Sequence, residues 1–237
     1  NTAKGADYYW NVNKQSAHIL DEIRKAFTEG DQVKAERLTR QNFNSEVPYE
    51  GSREKPFRFG SFTTMGEFYV ETGLNMIGMS DYKRILSLDS AMAVVQFKKD
   101  DVAYQRNYFI SYPANVLVMR FSADRPGKQN LIFSYAPNPV STGSMVAQGD
   151  NGLVYSAALD NNGMKYVVRI QAETKGGTLV NRNGKLTVKG ADEVVFYVTA
   201  DTDYKANFAP DFKNPKTYVG VNPVETTGQW LANAVAK

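Results

Sequence analysis

Bond hydrolysis near neutral pH can be run by two carboxylates, one donating a proton while the other attacks or activates water. The chain offers Glu67 with Glu71, Asp89, Asp100 with Asp101, Asp192 with Glu193, and Asp201 with Asp203. Glu67 and Glu71 share one side of an alternating segment, but stand about 13 Å apart along it at the rise of a strand. Most of the others sit in turn sequences, where a short carboxylate bonds to nearby backbone. His18 is the single histidine and there is no cysteine, which excludes thiolate chemistry and the usual zinc sets and leaves a Ser-His-Asp triad poorly supported. His18 adjoins Ile19 and Leu20 at the start of a helical pattern and reads as structural. Gly176-Gly177 is a turn, not a phosphate loop. No catalytic, cofactor-binding or metal-ligating residue is assigned.

Aromatic faces could stack on sugar rings, but Tyr104, Tyr108, Tyr166 and Tyr197 fall inside strand patterns, where packing accounts for them. Trp10 and Trp230 fall outside the strands. Trp230 and its neighbour Leu231 suit the docking of a terminal helix or a neighbouring domain, and are the candidate inter-domain contacts.

The elements that would carry these residues are mostly strands. Residues 88–123 read as three consecutive antiparallel strands, with Lys99-Asp100-Asp101 and Tyr112-Pro113-Ala114-Asn115 as corners. Before them, 57–62 and 65–71 alternate, and 73–80 reads as a connection. After them come 131–135, a loop over 136–144, and hairpins about Asp160-Asn161-Asn162-Gly163 and Asn183-Gly184, the latter a strong signal for a tight reversal. Residues 193–200 are nearly all apolar and predict a central strand. Residues 16–43 instead show helical spacing: Ile19, Leu20, Ile23, Ala26 and Phe27, then Val33, Ala35 and Leu38, with Gly30 between them and Ser16 and Asp31 as caps. About a dozen strands predict a mainly β protein, a large antiparallel two-sheet (super-)sandwich with a helical hairpin near the N-terminus.

Composition agrees with a globular domain. The 237 residues are 42% hydrophobic and 22% charged, with a formal net charge of +3. No Lys/Arg run is long enough to follow a phosphate backbone, so nucleic acid is not an expected partner. No apolar stretch approaches the roughly 20 residues of a membrane helix. Asn1 reads as a start inside a longer chain.

Several segments, in order, resemble the N-terminal domain of glycoside hydrolase family 95, the α-L-fucosidases and related α-L-galactosidases. They are Met65-Gly66-Glu67-Phe68, then Tyr82 to Ala91, then Val102 to Pro113 (VAYQRNYFISYP), Val116 to Arg120, and Ala191 to Val194 running into Thr202-Asp203-Tyr204. The resemblance implies residues 1–222 as the β-sandwich module, with 223–237 beginning a linker or helix toward a catalytic domain. It further implies that this domain is a helical barrel holding the acid and the water-activating residues, none of which lies in these positions. The expected function is thus a non-catalytic module of an exported, periplasmic or extracellular, bacterial fucosidase-like enzyme. It would pack against the barrel and meet the glycan substrate indirectly, with no cofactor. The alternative is a stand-alone carbohydrate-binding or adhesion sandwich.

Overall fold

A computed structural model describes residues 16–43, 63–75, 77–160, 163–211, 214 and 216–236. The lead-in before Ser16 and the alternating segment 57–62 lie outside the described residues. The chain divides into two compact units, Asn1–Thr63 with Asp211–Pro215, and Thr64–Pro210 with Lys216–Lys237.

In the first unit a 3-10 turn, Ser16–Ile19, leads into α1 (Leu20–Thr28), followed by α2 (Gln32–Phe43). Ile23 and Ala26 of α1 bury against Ala35 and Leu38 of α2. Gly30, at φ +77°, reverses the chain between them. Asp31 caps α2, its carboxylate accepting from the Lys34 N–H at 3.0 Å. Two expectations need correction. Ser16 opens the 3-10 turn, and the first residue of α1 follows Ile19, which makes no side-chain cap bond. Val33 is 80% exposed, because it lies two residues, about 200° of helix, from the buried Ala35. His18 is exposed in the 3-10 turn.

The second unit contains two antiparallel sheets. β1 (Gly66–Glu71), β6 (Gln129–Pro137), β11 (Lys185–Ala191) and β10 (Thr178–Arg182) form the smaller, in that order. The larger runs β2 (Met79–Ser87), β3 (Met92–Lys99), β4 (Val102–Ser111), β5 (Val116–Ala123), β12 (Glu193–Thr202), β9 (Lys165–Lys175), β8 (Gly152–Leu159), β7 (Ser141–Gln148). The expected meander is β3–β4–β5, and Asp100 and Asp101 turn its first corner at φ 50° and 59°. Asn183-Gly184 joins β10 to β11 as a two-residue reversal. β12 is central, between β5 and β9.

Inward residues of β5, β8, β9 and β12 meet those of β6 and β11 in one core that includes Phe121, Leu153, Ile170, Phe196, Phe133 and Leu186. Two strands were not foreseen. Met79 and Ser80 of β2 fall in the expected connection and its remaining residues carry no expected element, and β7 falls partly in the expected loop. Both are edge strands with mostly exposed side chains, so neither shows the alternation of a half-buried strand. The terminal helix α3 (Pro223–Val235) is capped by Asn222, whose side-chain oxygen accepts from the Val224 N–H at 3.1 Å.

Gly66 has a steric reason. The Tyr135 hydroxyl donates to the Met65 carbonyl at 2.6 Å, and a Cβ on Gly66 would lie 2.5 Å from that hydroxyl oxygen and from the Ala136 carbonyl. Gly66→Ala should therefore cost about 1–3 kcal/mol by overpacking, read as a lower urea midpoint. Burial, with Tyr166 and Tyr155 nearby, raises the Tyr135 phenol above its ordinary value of 10.0. The unfolded chain loses that proton first, so this contribution to stability is complete below about pH 10 and declines as pH rises further. Melting curves taken upward from about pH 9 should fall less steeply for Tyr135→Phe than for the parent chain.

Candidate functional site

The candidate carboxylates are dispersed, and many have structural partners. Asp192 accepts from the Gly127 N–H at 2.7 Å, and Asp203, itself buried, accepts from the Lys165 N–H at 3.0 Å. Asp201 bonds the Thr202 N–H at 2.8 Å. Glu193 pairs with Arg120 across β12 and β5, and this contact raises the Arg120 pKa. Glu67 accepts from Tyr69 on the exposed side of β1. These bonds tie turns and strand ends together. Among the described residues no cluster of three or more His, Asp or Glu is placed to hold a metal ion.

Leu231 is buried and Trp230 half-buried in α3, which packs on the outer face of the larger sheet over β12 and β9. The anchor is Arg169 of β9, which the aromatic and apolar spacing alone did not single out. Its Nε donates to Thr227 Oγ1 at 3.1 Å, Nη2 to the Val224 carbonyl at 3.0 Å and Nη1 to Gln148 Oε1 at 3.0 Å. Thr199 Oγ1 donates to the Thr227 carbonyl at 3.0 Å from the adjacent strand. Burial lowers the Arg169 pKa, and no carboxylate among the described residues offsets it. The available signal was an arginine inside the apolar run Tyr166 to Ile170, which demands a partner for its charge.

Beyond α3 the same outer face is polar. Gln96 donates to Gln105 at 3.0 Å, Gln105 to Asn107 at 2.9 Å, and the Asn107 amide reaches the Met92 sulfur at 3.3 Å. This amide ladder crosses β3 and β4 and borders a trough of about 640 Å³ whose walls include Asp81, Lys83, Lys98, Ser122 and Asp124. Asp81 and Lys98 pair at 2.8 Å, which holds the Asp81 carboxyl below its usual range. Neutral amides and balanced charges of this kind can hydrogen-bond hydroxyl groups or another protein surface. The strand pattern put Gln96, Gln105 and Asn107 in alternating strands but did not single out the ladder, because amides carry no charge signature.

Residues 4–207 match the family model described as the N-terminal domain of glycosyl hydrolase family 65. The motifs above resembled family 95; the model that matches is that of family 65. "Probable alpha-fucosidase A" of Aspergillus niger is 27% identical over 194 residues, 78% of this chain and 23% of that protein. A solved structure described as a kojibiose phosphorylase from the human microbiome aligns with TM-score 0.46 and 11% identity, over 72% of this chain and 25% of that one. The chain thus spans about a quarter of the length of these relatives.

Arg169→Met keeps the aliphatic stem and removes three donors. It should destabilise the second unit by about 1.5–3 kcal/mol. In a Trp10→Phe background, Trp230 emission should shift to the red as α3 loosens, while Lys175→Met on the same strand leaves it unchanged.

Proposed function

The chain belongs to the N-terminal domain family of glycosyl hydrolase family 65, and from that premise we propose that it is the non-catalytic β-sandwich module of an α-L-fucosidase-like enzyme. In this reading the enzyme is exported and acts on fucosylated or α-L-galactosyl glycans. A helical-barrel catalytic domain in the same polypeptide performs the hydrolysis, and the sandwich packs against it and walls one side of its active site.

The observation that carries the reading is the family match across residues 4–207, joined to the similarity with a fucosidase over 78% of the chain. The engagement of Asp192, Glu193, Asp201 and Asp203 in turn and strand-end bonds supports a structural use of these acids. The outer amide ladder, left uncovered by α3 within this unit, suits a contact made through hydrogen bonds.

Turnover of an aryl α-L-fucoside tests it. The 237-residue chain should release no fucose, and a longer polypeptide containing it should. Activity of this chain alone that disappears with one carboxylate substitution within it would overturn the proposal.

A further inference from the structure

The inter-sheet core takes no side chain from β2 or β3. Their inner faces instead wall a groove of about 1010 Å³, with Thr72 and Leu74, just past β1, among its other walls. Two arginines line it, Arg84 and Arg106, and among the described residues no Asp or Glu does. Both stand in register with Val95, one from each side, so they share a face about 10 Å apart, two interstrand spacings. No ion pair among the described residues includes either of them.

Arg106 is held in place without being neutralised. Its guanidinium lies over the rings of Phe97 and Phe121, 5.0 and 5.8 Å from their centroids. Beside it, the buried Gln129 amide nitrogen has no hydrogen-bond partner among the described residues, and Gln129 and Arg106 line the same small cavity. Tyr82, 56% exposed, is part of the groove wall.

We propose that this groove binds an anionic saccharide unit, its carboxylate or sulfate gripped between Arg84 and Arg106 and its ring laid against Tyr82. Two like charges on one half-apolar face repel each other until an anion sits between them. The planar guanidinium fork fits both carboxylate and sulfate oxygens. A charged pyranose brings an apolar ring face and an anion in one small body, and a groove of this volume accommodates a ligand of that size. The choice of a sugar rests on the glycosidase reading above.

The test is calorimetric titration of the purified chain with three probes: a trisaccharide bearing glucuronic acid, its uncharged methyl ester, and a monosulfated neutral trisaccharide. At least one anionic probe should bind about tenfold or more tightly than the ester, and which one does so distinguishes carboxylate from sulfate recognition. Arg84 is exposed, so Arg84→Gln reads the charge without disturbing the core. It should weaken the anionic probe about tenfold at an unchanged melting temperature, and added salt should weaken it too. Equal affinity for acid and ester, no saturable binding, or indifference to Arg84→Gln would overturn the proposal. So would binding by this chain that vanishes in a longer polypeptide, which would make the groove an internal contact surface. Fucoside turnover is measured separately, so the glycosidase reading and the anion site can fail independently.

Discussion

Phe133 of the small sheet stacks on Phe196 of the large one, centroids 4.6 Å apart, with both rings fully buried. Each occupies the middle of its sheet, β6 in one and β12 in the other, so this contact sets where the layers meet. Rings extend from it in both directions. Phe68 reaches Phe133 at 5.7 Å from β1, while Phe121 meets Phe196 edge-on at 5.9 Å and Tyr108 meets Phe121 edge-on at 6.0 Å. Such pairs add about 0.5–1.5 kcal/mol each to the area they bury. A one-residue slip of either central strand would turn its aromatics to the outer face, so the row also fixes register.

The row explains the asymmetry of the two faces. Four strands cannot cover eight, and with the layers centred on β6 and β12 the inner surface at the β2–β3 end lies outside the main core, where Phe97, Val102 and Tyr104 form a small cluster of their own. The outer face is divided differently. α3 covers β12 and β9, while the amide ladder of β3 and β4 stays open within this unit. One sheet therefore presents a neutral hydrogen-bonding surface on one side and a basic groove on the other, close to each other through the same strands. That arrangement depends on side-chain alternation: Gln96 and Gln105 face outward because Val95 and Arg106 face in.

The sequence was most legible where burial imposes a period. The meander, the central strand Glu193–Thr202, the hairpin about Asn183-Gly184 and the helical hairpin all combine a wetter face with a drier one, while Asn161-Asn162 of the other expected reversal lie outside the described residues. It was least legible at Met79–Ser87 and Ser141–Gln148, the two edges of the large sheet, where solvent on most sides removes the pattern. The same limit applies to sites. Trp230 and Leu231 stand out as large apolar residues in a tail, and within this unit Leu231 is buried where α3 meets the sheet. Arg169, which fastens that tail, was passed over because its partners come from Gln148, Val224 and Thr227, distant in sequence. Gly66 was noticed only as part of a motif; its need for a bare Cα lies in Tyr135, on a strand about seventy residues later.

Three arginines in the large sheet meet the cost of a charge near apolar surroundings in three ways. Arg120 pairs with Glu193 on the adjacent strand, so its charge is cancelled locally. Arg169 has no acid, but each of its three nitrogens donates to a hydroxyl, carbonyl or amide oxygen, so its hydrogen-bonding capacity is spent on fastening α3. Arg106 has no acid among the described residues, and its hydrogen-bonding partner is the Tyr108 hydroxyl. Ring faces and the Tyr108 hydroxyl, whose own pKa burial raises, surround it, and its in-register neighbour across Val95 is another cation. Ring contacts stabilise a cation only by about 0.5–2 kcal/mol and leave its field intact. If the domain needed only a packed edge, methionine would fill the space between Phe97 and Phe121 without desolvating a charge. An arginine held there, facing a second one across an open groove, is explained by something negative that comes to meet it.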